Sequence, residues 1–255
     1  MGRVVCFANQ KGGVGKTTTC VNLCAAVKDK RRKILLVDAD PQGNATTGMG
    51  VDKRAAVTLY DVLIRGVPAQ QAIVQTKYGD VLPANLNLSG AAVELVEAPE
   101  REMVLKKALA PIRDQYEYIF IDCPPSLGLL TLNALAAADT VLIPMQCEFY
   151  AMEGLTDLIT SMRLTKNRFN PNLKIEGIVL TMYDRRLSFA GQVAKEIEQY
   201  FGKAMYRTVV PRNVRIAEAP SHGKPVGAYS RLSRGAEAYD CLAIEFFRHN
   251  HTIDV

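Results

Sequence analysis

Apolar, often β-branched residues cluster in runs at positions 4–8, 34–37, 118–121, 140–144, 175–181 and 206–210, with a shorter run at 81–82. Most of these runs are continuous instead of alternating. A strand that is apolar on both sides is covered on both faces, as in parallel sheets. Between them lie stretches with apolar residues at helical spacing, at 17–29, 99–115, 129–138, 153–168, 188–200 and 235–249. Strand and helix alternate along the chain, which predicts one α/β domain over residues 1–255: a doubly wound, mainly parallel sheet flanked by helices. Ligands of such a sheet bind beyond the carboxyl ends of its strands. The least regular stretch, 39–87, contains Gly43, Gly48, Gly50, Gly66 and Pro68 and is expected to carry loops and short helices above the sheet.

Composition changes this picture little. At 255 residues and 48% hydrophobic, the chain has enough apolar material for one large core, which excludes a disordered protein. No apolar run approaches the roughly 18 residues needed to span a bilayer, and the first nine residues are too short for a signal peptide. A soluble, cytoplasmic protein is expected. The six cysteines form no Cys-x-x-Cys pair; Cys20 and Cys24, four apart on the first helix, read as core rather than metal ligands.

Charge is more informative in its distribution than in its total of +5. Seven basic residues (Lys203, Arg207, Arg212, Arg215, Lys224, Arg231 and Arg234) fall between Gly202 and Gly235 against the single acid Glu218. That segment is either an electrostatic footprint for a polyanion or a solvated surface.

The chemistry starts directly after the first strand. Gly12, Gly13 and Gly15, followed by Lys16, Thr17 and a helix, are the ingredients of a phosphate cradle: turned backbone amides, a helix amino terminus, an ammonium and a hydroxyl. The usual pattern G-x-x-x-x-G-K-[ST] is not met literally. Gln10 stands where its first glycine would fall, and a second lysine, Lys11, precedes the usual one by five residues. Two ammonium groups from one loop would repel on one γ-phosphate, so Lys11 needs another task.

The segment Ala8-Asn-Gln-Lys-Gly-Gly-Val-Gly-Lys-Thr-Thr-Thr19 resembles the variant phosphate loop of the ParA/MinD family of P-loop ATPases, in which the early lysine is a signature. The resemblance continues through Leu36-Val-Asp-Ala-Asp-Pro-Gln-Gly-Asn44, Ile121-Asp-Cys-Pro-Pro-Ser126, Thr181-Met-Tyr-Asp184 and the segment 210–225. It spans nearly the whole chain, and the branch it resembles most is that of the small chromosomal ParA proteins called Soj.

That resemblance implies ATP and Mg²⁺ as cofactors, with Lys11, Gly12, Gly13, Val14, Gly15, Lys16, Thr17 and Thr18 cradling the phosphates. Lys16 is expected on the β- and γ-phosphates, Thr17 on Mg²⁺, and Asp122 in the metal shell through water. Asp38 and Asp40 share one face if their strand continues; Asp38 is assigned nearer the metal and Asp40 to the attacking water. Either could instead cap a loop. Met182, Pro211 and Asn213 are expected around the adenine, and Asn9 as support for the loop. Cys123 is weighed as a reactive thiol and reads better as core. The family sends the early lysine across a dimer interface to the partner's nucleotide, which implies an ATP-sandwich homodimer.

Two outputs fit such a switch. In DNA partition, the ATP-bound dimer binds double-stranded DNA non-specifically, is nucleoid-associated, and is released when a ParB-like partner stimulates hydrolysis. Arg186, Arg212, Arg215 and Arg234 are the candidate phosphate contacts. In the alternative, a MinD-like ATPase binds the membrane and positions the division machinery, which requires a basic amphipathic helix at the carboxyl end. Residues 245–255 hold one arginine and end Ile-Asp-Val, so no membrane partner is expected. With the first strand so near residue 1, no amino-terminal helix-turn-helix is expected. Weak intrinsic turnover follows from the lack of an arginine finger near the loop.

Overall fold

Six strands form one sheet: β1 (Arg3–Phe7), β2 (Ile34–Asp38), β3 (Asp80–Leu82), β4 (Tyr118–Asp122), β5 (Thr140–Met145) and β6 (Lys174–Leu180). Their order is β3-β2-β4-β1-β5-β6, and every neighbouring pair is parallel. The computed structural model describes residues 2–28, 31–148 and 151–253. The expected helix end at Asp29 and the last two residues of the tail, Asp254 and Val255, lie outside the described residues.

The apolar runs are continuous because each strand feeds two cores. On β1, Val4 and Cys6 enter one cluster while Val5 and Phe7 enter the other. The helices are α1 (Lys16–Val27), α2 (Asn44–Gly48), α3 (Leu59–Ile64), α4 (Ala69–Ala72), α5 (Leu88–Glu94) and α6 (Val104–Leu109). They continue with α7 (Leu129–Ala137), α8 (Ala151–Arg168), α9 (Ser188–Phe201), α10 (Val214–Glu218), α11 (Val226–Tyr229) and α12 (Arg234–Ile253). Residues of α3 to α9 cover one face, and residues of α1, α2, α11 and α12 the other. Phe246 of α12 meets the rings of Tyr118 and Phe120 edge-on, with centroids 5.2 and 5.7 Å away, locking that helix to the sheet.

From β1 the chain winds outward through β2 to β3, and from β4 it crosses to β5 on the opposite side. The switch point therefore lies at the carboxyl ends of β1 and β4. The register there is specific: Phe7 pairs with Asp122, and Asp38 pairs with Asp122.

Two expected elements differ from those found. The helix over 99–115 is interrupted, because α6 starts only at Val104 and Pro111 near the start of a 3₁₀ segment over 110–115 cannot donate to a continuing helix. The strand over 206–210 does not form. Tyr206 N donates to Ile178 O and Val210 N to Leu180 O, so the chain runs along the edge of β6 with extra residues between the two contacts. The amides of Arg207 and Thr208 turn away to the Glu245 carboxylate of α12 at 2.7 and 2.8 Å. Among the described residues, no helix is long and apolar enough to cross a membrane.

Candidate functional site

The glycine loop leaves β1 at the switch point and enters α1. Gly13 and Gly15 adopt φ of +75° and +85°, which a side chain would strain, while the loop needs both values to turn its amides inward. Gly12 and Gly13 face open space, with only Pro125 Cβ as near as 3.9 Å to a carbon added at Gly12. Asn9 braces the loop: its Nδ2 donates to Pro144 O at 2.8 Å and its Oδ1 accepts from Lys11 N at 3.0 Å.

Two further braces come from residues far along the chain. Thr181, at the end of β6, donates its hydroxyl to Val14 O at 2.7 Å and lies 3.1 Å from Met145 O. Gln146 donates its Nε2 to Gly13 O at 3.3 Å and sits 2.7 Å from Met182 Sδ. A polar β-branched residue at the end of an otherwise apolar strand was the available hint for Thr181.

Lys16 is buried, and its Nζ donates to Lys11 O at 3.0 Å. Burial pulls its pKa down, opposed by the charges of Asp122, Cys123 and Asp40. Lys11 turns outward, and its ammonium is ion-paired with Glu148. The two lysines of one loop therefore diverge.

Beneath the loop the β2–β4 register places Asp38 and Asp122 side by side, both fully buried. Asp38 is satisfied by the chain: Oδ1 accepts from Asp40 N at 3.2 Å, and Oδ2 from Thr46 N and Oγ1, both at 2.7 Å. Its pKa rises to about 6, driven first by burial and held back by the Thr46 hydroxyl. Asp122 differs, since neither of its oxygens finds a hydrogen-bond donor. Burial and then the Asp38 charge push its pKa well up; the nearby Thr17 hydroxyl and Lys16 pull it back. An orphaned carboxylate beside a hydroxyl, below a phosphate-type loop, is what a water-bridged divalent cation would satisfy. No group of three or more His, Cys, Asp or Glu residues gathers for a metal among the described residues, so such an ion would draw its remaining ligands from phosphate and water.

The shared face expected for Asp38 and Asp40 is not found, because β2 ends at Asp38 and the chain turns. Asp40 Oδ1 accepts from Gln42 N at 2.9 Å, fixing that turn near the surface of the site. Thr18 lies on the first turn of α1, its carbonyl accepting from Asn22 Nδ2 at 2.7 Å. Asn22 Oδ1 in turn accepts from Val226 N at 2.6 Å, tying α1 to α11. The Cys123 thiol is pushed up by its hydrogen bond with Cys6 and by burial, which makes it inert core; Cys20 and Cys24 are likewise buried with raised pKa.

Met182 is a non-glycine residue at φ +48°, a strained conformation of the kind that collects at binding sites. The Tyr183–Pro211 bridge brings Pro211 and Asn213 beside it. Asn213 caps α10 by accepting from Arg215 N at 2.9 Å. The four arginines gather at this same end. Arg186 is paired with Asp184 at 2.7 Å and Arg215 with Glu218 at 2.8 Å, whereas Arg212 and Arg234, both exposed, form no ion pair among the described residues. Gly50 (φ +79°), just after α2, abuts Gly223 (φ +60°) of the basic segment: a carbon added at Gly50 would fall 2.8 Å from Gly223 O. A groove of about 380 Å³ between α8 and α9, walled by Leu155, Ile159, Tyr200 and Phe201, includes none of these residues.

The comparisons agree with this geometry. A family model described as an AAA domain matches residues 2–175. The chain is 51% identical over 253 residues to the chromosome partitioning protein ParA of Myxococcus xanthus, covering 98% of this chain and 89% of that protein. It is 51% identical over 248 residues to the sporulation initiation inhibitor protein Soj of Bacillus subtilis, covering 96% and 98%. A crystal structure of cobyrinic acid a,c-diamide synthase from Mycobacterium smegmatis with bound ATP analogue and magnesium is similar at a TM-score of 0.87 and 37% identity, covering 98% and 95%. The chain belongs to the ParA/MinD family of P-loop ATPases, in its ParA/Soj branch.

Proposed function

We propose that residues 1–255 act as a single ATPase domain serving as an ATP-gated dimerisation switch in chromosome or plasmid partition. The observation that carries this reading is the orphaned Asp122 carboxylate beneath a glycine loop whose two lysines point apart. One lysine serves the chain's own nucleotide, and the other is free in direction to serve a second copy's.

In this reading Gly12 to Thr18 wrap the phosphates of ATP, with Lys16 leaving Lys11 O for the β- and γ-oxygens. Thr17 and, through water, Asp122 hold Mg²⁺, with Asp38 behind them in the outer shell. The cation neutralises charge on the phosphates when bound. Asp40, fixed by its turn, orients the attacking water. Met182 and Pro211 face the adenine, and Asn213, whose Oδ1 is engaged as a cap, offers its amide nitrogen. Lys11 reaches across an ATP-sandwich homodimer to the partner's nucleotide.

The dimer binds double-stranded DNA through Arg186, Arg212, Arg215 and Arg234 without reading sequence, and a ParB-like partner stimulates hydrolysis and release. Arg212 and Arg234 are ready contacts. Arg186 and Arg215 exchange an exposed carboxylate for a phosphate, which an exposed pair permits at little cost. The protein then works in the cytoplasm, associated with the nucleoid. The Myxococcus xanthus relative named for chromosome partitioning, at 51% identity, supports this output over that of the similar synthase structure, at 37%.

The test is co-sedimentation with random-sequence DNA and, in parallel, with anionic liposomes, each with ATP, ADP and no nucleotide. ATP-specific DNA binding that weakens steeply with salt is expected. Liposome binding without DNA binding would replace partition with the MinD-like alternative.

A further inference from the structure

The glycine loop carries two amines, and the chain engages both with its own acceptors: Lys16 Nζ with Lys11 O, and Lys11 Nζ with Glu148. Glu148 follows the end of β5, a stretch that braces the loop elsewhere through Pro144 O within the strand and Gln146 Nε2 just after it. Its backbone amide donates to Gln146 O at 3.0 Å, closing a tight turn beside Lys11. Lys11 is therefore held in cis at both ends, its amide by Asn9 and its ammonium by Glu148.

We propose that Glu148 is a positioning residue that holds Lys11 in the lone subunit and releases it when a second copy presents its nucleotide, so that it sets the protein concentration at which the ATP-bound dimer forms. This rests on the reading that Lys11 acts in trans. The side chains of the pair are 36% and 49% exposed, which makes the contact breakable, as a buried pair would not be. A triphosphate offers the ammonium more negative charge than one carboxylate, so the exchange runs toward the dimer once ATP is bound. Dimerisation breaks two such contacts, one per protomer, and each lowers the fraction of subunits competent to associate.

The experiment compares wild type, Glu148→Gln, Lys11→Ala and the double variant, measuring dimerisation by analytical ultracentrifugation with Mg²⁺ and a non-hydrolysable ATP analogue. Glu148→Gln is expected to dimerise about fivefold more tightly, the equivalent of about 1 kcal/mol for two exposed pairs at 1.4 kcal/mol per tenfold. The gain should shrink in high salt and vanish in the Lys11→Ala background. An unchanged or weaker dimer for Glu148→Gln, with Lys11→Ala failing to dimerise, would overturn the cis hold and leave the trans lysine standing. An effect of Glu148→Gln that persists without Lys11 would mean a structural role and also overturn it. Normal dimerisation of Lys11→Ala would remove the trans reading itself.

Discussion

Replacing Thr46 with valine keeps the shape of a fully buried side chain and deletes one hydroxyl. That hydroxyl donates to Asp38 Oδ2 at 2.7 Å and accepts from Ala84 N at 3.0 Å. Losing a hydrogen bond to a charged group costs about 1.5–3 kcal/mol, and leaving a buried amide without its acceptor costs about 1–3 kcal/mol. Since the two losses share one atom and the site relaxes, about 2–5 kcal/mol is expected, or a fall in Tm of about 4–20 °C for a domain of this size. The pH dependence sharpens the test. Asp38 already has a folded pKa of about 6, above the ordinary 3.8, so it contributes stability that is present below the ordinary value and lost as pH rises through about 6. Because the Thr46 hydroxyl holds the pKa down, Thr46→Val moves it further up, so the variant's deficit against the wild type widens as pH rises. Denaturant unfolding of the nucleotide-free protein across pH 5 to 8 reads this directly. A deficit under about 1 kcal/mol, or one that narrows as pH rises, would refute the role given to this hydroxyl.

Asp122→Asn should raise the Tm of the nucleotide-free protein while weakening its stabilisation by Mg²⁺ and ATP. Since the Asp122 carboxyl has a raised pKa, the wild type loses stability as that group ionises, so the gap in favour of the variant should widen with rising pH in melting curves. Thr181→Val removes the hydroxyl that pins Val14 O; calorimetry with an ATP analogue should show roughly tenfold weaker binding, about 1.4 kcal/mol, because the loop is less preorganised.

The elements that the sequence disclosed are those encoded in contiguous residues. Continuous apolar runs announced β1, β2, β4, β5 and β6, and the glycines with Lys16 and Thr17 announced the loop, because each is a local pattern with a local cause. The extended segment 206–210 has the composition of a strand, yet Glu245, far along the chain, takes two of its amides. Pro111 is a local signal for the break after α6, but helical spacing of apolar residues on either side of it masks that break. The braces of the loop, Thr181 on Val14 and Gln146 on Gly13, join residues that only the sheet order brings together. The Asp38–Asp122 adjacency likewise depends on which strand lies beside β2, which is a matter of topology and not of spacing.

The contact between Gly50 and Gly223 has a consequence for how the molecule tolerates change. A carbon added at Gly50 meets the Gly223 carbonyl, one added at Gly223 crowds Gly50 Cα at 3.1 Å, and both positions hold a positive φ, so in a library of random variants both should be strongly depleted of substitution. The pair acts as a fixed spacer: the turn after α2 and the basic segment meet there backbone to backbone, without any side chain that could yield.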